Sequence, residues 1–205
     1  MGYDISATGY LKRAKEALQK KDVRNLFYAA FELRCCIETR QGEYANALLA
    51  YENVKVKPWN VKQTGQRIRR ASYADRMALC RYHLEGETFD IYHTPVPDKL
   101  IKFVDTPLGN LLHAQQNYQE LTCGKWSKIR NELLEIYRLA WLSCQGDSLV
   151  PPMWDKKSSY THPFQIERTD RNKEFLDRLL LLQGKQLKME ISYPSKPPAE
   201  WVCDL

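Results

Sequence analysis

The sequence predicts a mainly α fold: a helical bundle followed by a small helix–strand appendage. Three observations predict it. Apolar residues recur every three or four positions from Tyr10 to Leu18 and again from Leu26 to Leu48, the second run holding a single glycine, Gly42. The same spacing returns over 107–118 and 124–145. The clearest period-two run comes late, where Leu187, Met189, Ile191 and Tyr193 alternate with Lys188, Glu190 and Ser192.

Taken in order, Tyr10, Leu11, Ala14, Ala17 and Leu18 mark a first helix that Ser6 or Thr8 can cap. Lys20-Lys21 suit its C-terminal dipole. Asp22 then caps a long second helix through Leu26, Phe27, Ala30, Phe31, Leu33, Ile37, Tyr44 and Leu48, ending near Val54. The two form a helical hairpin. Pro58, Gly65 and many basic residues break the pattern over 55–70, and a third helix is expected from Ser72 to Leu84. Residues 85–106 read as a loop with one extended piece, FDIYH. Thr106 caps a helix with Pro107 at its first position, reaching about Tyr118. Another helix covers 124–145. A linker over 146–167 holds Gly146, Pro151, Pro152 and Pro163, and a last helix spans about 169–183, closed by Gly184. The strand at 187–193 needs a partner: the piece near 89–93, residues near 164–168, or another chain. Trp201 sits in a tail, SKPPAEWVCDL, expected to fray. The domains are then 1–145, a bundle with a basic insertion near 55–106, and 146–205, the appendage.

The chain has 205 residues, 43% hydrophobic and 27% charged, enough for a full core. No apolar run approaches the roughly 20 residues of a membrane span. No basic stretch followed by an apolar one opens the sequence, so the cytoplasm is the expected compartment and no membrane partner is expected. The six cysteines show no C-x-x-C pair and no zinc spacing, and they read as reduced thiols. No nucleotide loop, nucleophile elbow or dinucleotide fingerprint appears. Neither a metal nor a cofactor is expected.

The net charge of +6 is concentrated. Residues 55–81 carry eight basic residues against the single Asp75. Lys62, Arg67, Arg69, Arg70 and Arg76 are the candidate nucleic-acid contacts, because such a block can neutralise a phosphate backbone. Trp59 and Tyr73 flank it and could stack on bases. A solvated surface accounts for the same pattern.

The stretch KIRNELLEIY, 128–137, raises a sharper question. At 100° per residue Arg130 and Tyr137 lie within about 20° of one face, at the edge of the stripe Ile129, Leu133, Ile136, Ala140 and Cys144. A half-buried arginine there needs an acceptor, a carboxylate or a phosphate. The order of elements, with the hairpin YLKRAKEALQKKDVRNLFYAAFELR and a later helix carrying Arg-Asn, resembles the HEPN superfamily of small helical bundles. That family's signature is Arg, four to six residues, then His. Its HepT-like branch extends this to Arg-x4-His-x-Tyr. Here Arg130, Asn131 and Tyr137 match, and Glu135 stands where the histidine belongs. The resemblance implies a bundle that pairs its motif helices across a cleft, acts on RNA, and serves toxin–antitoxin or antiviral defence. It also implies Arg130, Asn131, Glu135 and Tyr137 as the catalytic set and Tyr137 as a modification acceptor.

Glu135 for histidine is a chemical change. Metal-free RNA cleavage moves protons near neutral pH, which suits a side chain titrating near about 6.5. Glutamate titrates near about 4.3 and tyrosine near about 10. Arg130 could still hold a phosphate. His93, in YHTPVP, is the candidate for a displaced catalytic group; His113 reads as structural. On the plainer reading Glu135 pairs with Lys128 or Arg138 on a helix surface. The chain is then a non-catalytic interaction subunit that contacts a partner through its free strand at 187–193 and Trp201; a protein partner or a homodimer is expected.

Overall fold

The computed structural model describes residues 2–49, 60–72, 76–113, 123–152, 154–155, 160–161, 166–181 and 187–205. Helix α1 (Ala7–Leu18) starts where Ser6 Oγ accepts the Gly9 amide at 3.0 Å, the expected cap. Its buried residues Ala7, Leu11, Ala14 and Leu18 lie against α2 (Arg24–Leu49), which turns Leu26, Ala29, Ala30, Leu33, Cys36 and Ile37 toward it. Helix α6 (Cys123–Ser143) closes this core with Leu133, Ile136, Tyr137 and Ala140. The three helices expected here are therefore present, the last ending two residues before the expected 145; the expected end of the second near Val54 lies outside the described residues.

Between them the structure departs from the sequence reading. Residues 61–72 form α3 (Val61–Ser72), where a broken loop was expected. Gly65 is no breaker there. A side chain at that position would strike Ile101 Cδ1 at 2.6 Å, so the glycine lets α3 pack closely. The helix expected from Ser72 to Leu84 is instead strand β1 (Ala78–Leu84), and FDIYH belongs to a full strand, β2 (Glu87–His93). Glu85 and Gly86 turn the hairpin with φ of 51° and 88°, the two positive values a tight antiparallel turn requires. Ala78, Cys80, Tyr82 and Leu84 all face inward, a period of two.

Within the segment expected as loop lies a further helix. Helix α4 (Asp98–Phe103) runs into a wide turn over Val104–Gly109 and a short α5 (Asn110–Leu112). Thr106 is extended (φ −150°, ψ 118°) at a kink between two helical stretches, the backbone an N-cap takes, with Pro107 directly after it as the sequence reading placed it. The expected extension to Tyr118 lies outside the described residues. After α6 come a two-residue pair of strands, β3 (Trp154–Asp155) and β4 (Tyr160–Thr161), then α7 (Lys173–Leu181) and β5 (Lys188–Ser192).

The C-terminal strand is present as expected, but its partner is β1. Leu79 sits opposite Ser192 and His83 opposite Lys188, giving the antiparallel order β2-β1-β5. Among the described residues, neither 89–93 nor 166–168 pairs with it. Phe175 of α7, fully buried, lies under this sheet with its ring 4.8 Å from Tyr82 and 5.3 Å from Phe89. The tail does not fray. Trp201 packs edge-on against Tyr92 at 5.0 Å, Lys15 pairs with Asp204, and Cys203 and Leu205 rest on the helical core. Among the described residues, no helix is long and apolar enough to cross a membrane.

Candidate functional site

The motif helix is the first place to look for chemistry. Arg130 is half-buried, and its guanidinium donates to two backbone carbonyls at the end of α1, Lys20 O at 3.0 Å and Leu18 O. It therefore serves as the cation that satisfies a helix C-terminus. The acceptor expected from the sequence was a carboxylate or phosphate; the structure supplies carbonyl oxygens instead. Asn131 is exposed. Glu135 is exposed and pairs with Lys99 of α4, not with Lys128 or Arg138. Tyr137 is 2% exposed and faces the core, where burial pushes its hydroxyl pKa up. The four residues do not line one cleft, and Tyr137 presents no accessible hydroxyl for modification.

His93 is placed just as firmly. It is 1% exposed; Nδ1 lies 3.0 Å from Ser148 O, and Nε2 has no hydrogen-bond partner among the described residues. Burial lowers its pKa to about 4, so it stays neutral at physiological pH. It is no displaced catalytic group reaching solvent. It belongs to a buried polar hub centred on Arg40.

Arg40 is 1% exposed and sits on the inward face of α2, one turn before Tyr44. Its Nε donates to Ser143 O at 3.0 Å and Nη2 to Gly146 O at 3.3 Å. Nη1 reaches Glu43 at 3.0 Å and Glu167 at 2.9 Å. Tyr44 Oη is shared between the carbonyls of Ser143, at 3.1 Å, and Thr94. Thr94 Oγ1 donates to the same Ser143 carbonyl at 3.0 Å and accepts the Gly146 amide at 3.0 Å. Asp147 collects Asn172, Thr169, Arg171 and the Tyr92 amide. The hub joins α2, the end of β2, the end of α6 and the approach to α7. Sequence reasoning passed over Arg40, although a signal existed: a cation on the stripe Ile37, Arg40, Tyr44, Leu48 at helical spacing.

The described residues of the basic block differ in their surroundings. Lys62, with Gln63 and Gln66, points outward from α3; Arg67 is half-buried; Arg69 pairs with Asp98. Arg76 is exposed before β1. The Arg70 side chain, Trp59 and Tyr73 lie outside the described residues. Among the described residues, no cluster of His, Cys, Asp or Glu could hold a metal.

One group of exposed apolar side chains forms a row on a single helix. Phe27, Tyr28 and Phe31 of α2 are 37%, 62% and 51% exposed. Phe27 also meets Trp126 edge-on at 5.9 Å and borders a groove of 220 Å³ walled by Pro107, Leu111, Ile129 and Leu133. Clusters of large exposed apolar side chains mark interaction surfaces more often than solvated ones. The stretch LFYAAF carried this signal: at helical spacing it cannot bury Leu26, Ala29, Ala30, Phe27, Tyr28 and Phe31 on one face. Comparison with protein-family models, curated proteins and solved structures finds no match to this chain.

Proposed function

We propose that the chain is a HEPN-like helical bundle working in the cytoplasm as a non-catalytic subunit, and that it binds a protein partner through the outer face of α2. The setting is a toxin–antitoxin or antiviral one, as the resemblance implies. The observation that carries the reading is the row Phe27, Tyr28 and Phe31, left exposed beside an apolar groove. Aromatic side chains on a rigid helix give large contact area at small entropic cost. The occupied guanidinium of Arg130 and the buried Tyr137 support the non-catalytic part. A photo-crosslinking side chain placed at Tyr28 and irradiated in the expressing cells tests the reading. A discrete protein adduct is the expected result; none at Tyr28, with the protein folded, overturns it.

A second reading has one observation in its favour. Lys62, Gln63 and Gln66 form the outer face of α3 with Arg76 exposed nearby in sequence, a surface that could track a phosphate backbone. On this reading labelled RNA shifts on a native gel, the shift fades as salt rises, and Lys62→Glu with Arg76→Glu removes it. RNA stays intact in either case. Metal-free cleavage abolished by Arg130→Ala would restore the nuclease.

A further inference from the structure

The outer face of α2 is self-complementary, and we infer that its occupant is a second copy of this chain, docked antiparallel about a two-fold axis at Phe31. The inference rests on the reading of this face as a protein-binding surface and names the partner. It is carried by where charges and rings fall on the helix.

Taking Phe31 as the centre, at 100° per residue, Arg24, Phe27, Tyr28, Arg34, Cys35 and Glu38 all lie within about 60° of it. Each is exposed or half-buried. Arg24 and Glu38 stand seven residues either side, about 10 Å along the axis at 1.5 Å per residue. A two-fold perpendicular to the helix turns the pattern end for end. Phe31 then meets the partner's Phe31, and Arg24 comes level with the partner's Glu38, twice over. Heights and lateral offsets also match Phe27 to the partner's Arg34, a cation over a ring, and Tyr28 to the partner's Cys35. Each charge on the face therefore finds an opposite charge or a ring, and each ring finds apolar or cationic surface.

The isolated chain leaves these charges weakly engaged. Arg24 pairs with Asp22 at 2.6 Å and Arg34 with Glu38 at 2.9 Å, all on the surface, where such pairs contribute little. Beyond Glu38 the stripe closes, because Gln41 and Ala45 are buried. The open stretch thus runs from Arg24 to Glu38 and is centred on Phe31, as an isologous contact requires. The resemblance implies pairing through the motif helix, α6. This contact is carried by α2 and leaves Arg130 against α1.

Sedimentation equilibrium of the purified full chain, from about 1 to 200 μM, tests it. The expected wild-type result is a monomer–dimer equilibrium. Arg24→Glu or Glu38→Arg alone should raise the dissociation constant about 30-fold or more, since like charges then face each other twice. The double reversal Arg24→Glu/Glu38→Arg should recover most of the affinity. Phe31→Cys in a Cys35→Ser background should form a symmetric crosslink of twice the chain mass under mild oxidation. Circular dichroism confirms that each variant is folded. A monomer throughout the range overturns the inference, as does a dimer indifferent to Arg24→Glu and Phe31→Lys. A monomer that still gives a Tyr28 adduct with a different protein removes the two-fold contact and leaves the protein-binding reading standing.

Discussion

The Arg40 guanidinium donates to the Ser143 carbonyl at 3.0 Å, across 103 positions of sequence. That one bond fixes the end of α6 against the middle of α2. The Gly146 carbonyl, Glu43 and Glu167 take three of the other N–H groups, so a fully buried cation is almost completely satisfied. The arrangement needs a planar, forked donor.

Replacing Arg40 by alanine should destabilise the fold by about 3–5 kcal/mol, because the Ser143 and Gly146 carbonyls lose a buried donor and Glu167 its partner. Arg40→Lys should recover only part of this, since an ammonium cannot serve acceptors on both sides of a fork. Urea titration followed by circular dichroism measures both.

His93 predicts a pH dependence. In the unfolded chain it takes a proton as pH falls through about 6.5. In the folded chain burial holds it neutral down to about 4. Between these values the unfolded state binds more protons, so stability falls as pH falls, and above about 6.5 this contribution is constant. At about 1.4 kcal/mol per pH unit, the loss across the window is on the order of 3 kcal/mol. His93→Gln should flatten that part of the profile. An unchanged acid slope in the variant would assign the titration to other groups.

The parts of the fold that were legible are those whose burial pattern is complete within one element. Leu11, Ala14 and Leu18 declare α1, and Leu133, Ile136 and Ala140 declare α6, without reference to anything else. Strand β1 was misread because ALCRYHL fits helical and alternating spacing alike, and β5, one of the two strands that decide the matter, lies about a hundred residues away. Helix α3 was missed because Gly65 looks like a breaker until Ile101 is seen against it. At the candidate site the sequence rightly flagged Arg130 as needing an acceptor. It could not name the acceptor, because the partner is backbone, which every residue carries.

That assignment has its own test. Arg130→Ala should cost about 1–2 kcal/mol and act locally, since it uncovers the last carbonyls of α1. Amide hydrogen exchange should quicken over residues 15–20 while the α6 core stays protected. Arg130→Lys should restore most of the protection, as a single cation near a helix C-terminus suffices. Uniform loss of protection through α6 would mean that Arg130 supports more than this one contact.

Phe175 ties α7 to the sheet, and its removal reports whether β5 depends on that layer. The ring is completely buried between Tyr82 and Phe89. Phe175→Ala should cost about 3–5 kcal/mol through lost burial and the cavity left behind. β5 is an edge strand held to the rest of the sheet by β1 alone, with Ile191 41% exposed. It should therefore open first. Exchange at residues 188–192 should rise well before that of α1 and α2, whose core shares no buried residue with the Phe175 cluster. Phe175→Leu, which keeps most of the volume, should show the same order of opening with a smaller loss. Simultaneous opening of β5 and α2 would instead show that the Arg40 hub transmits the damage from sheet to bundle.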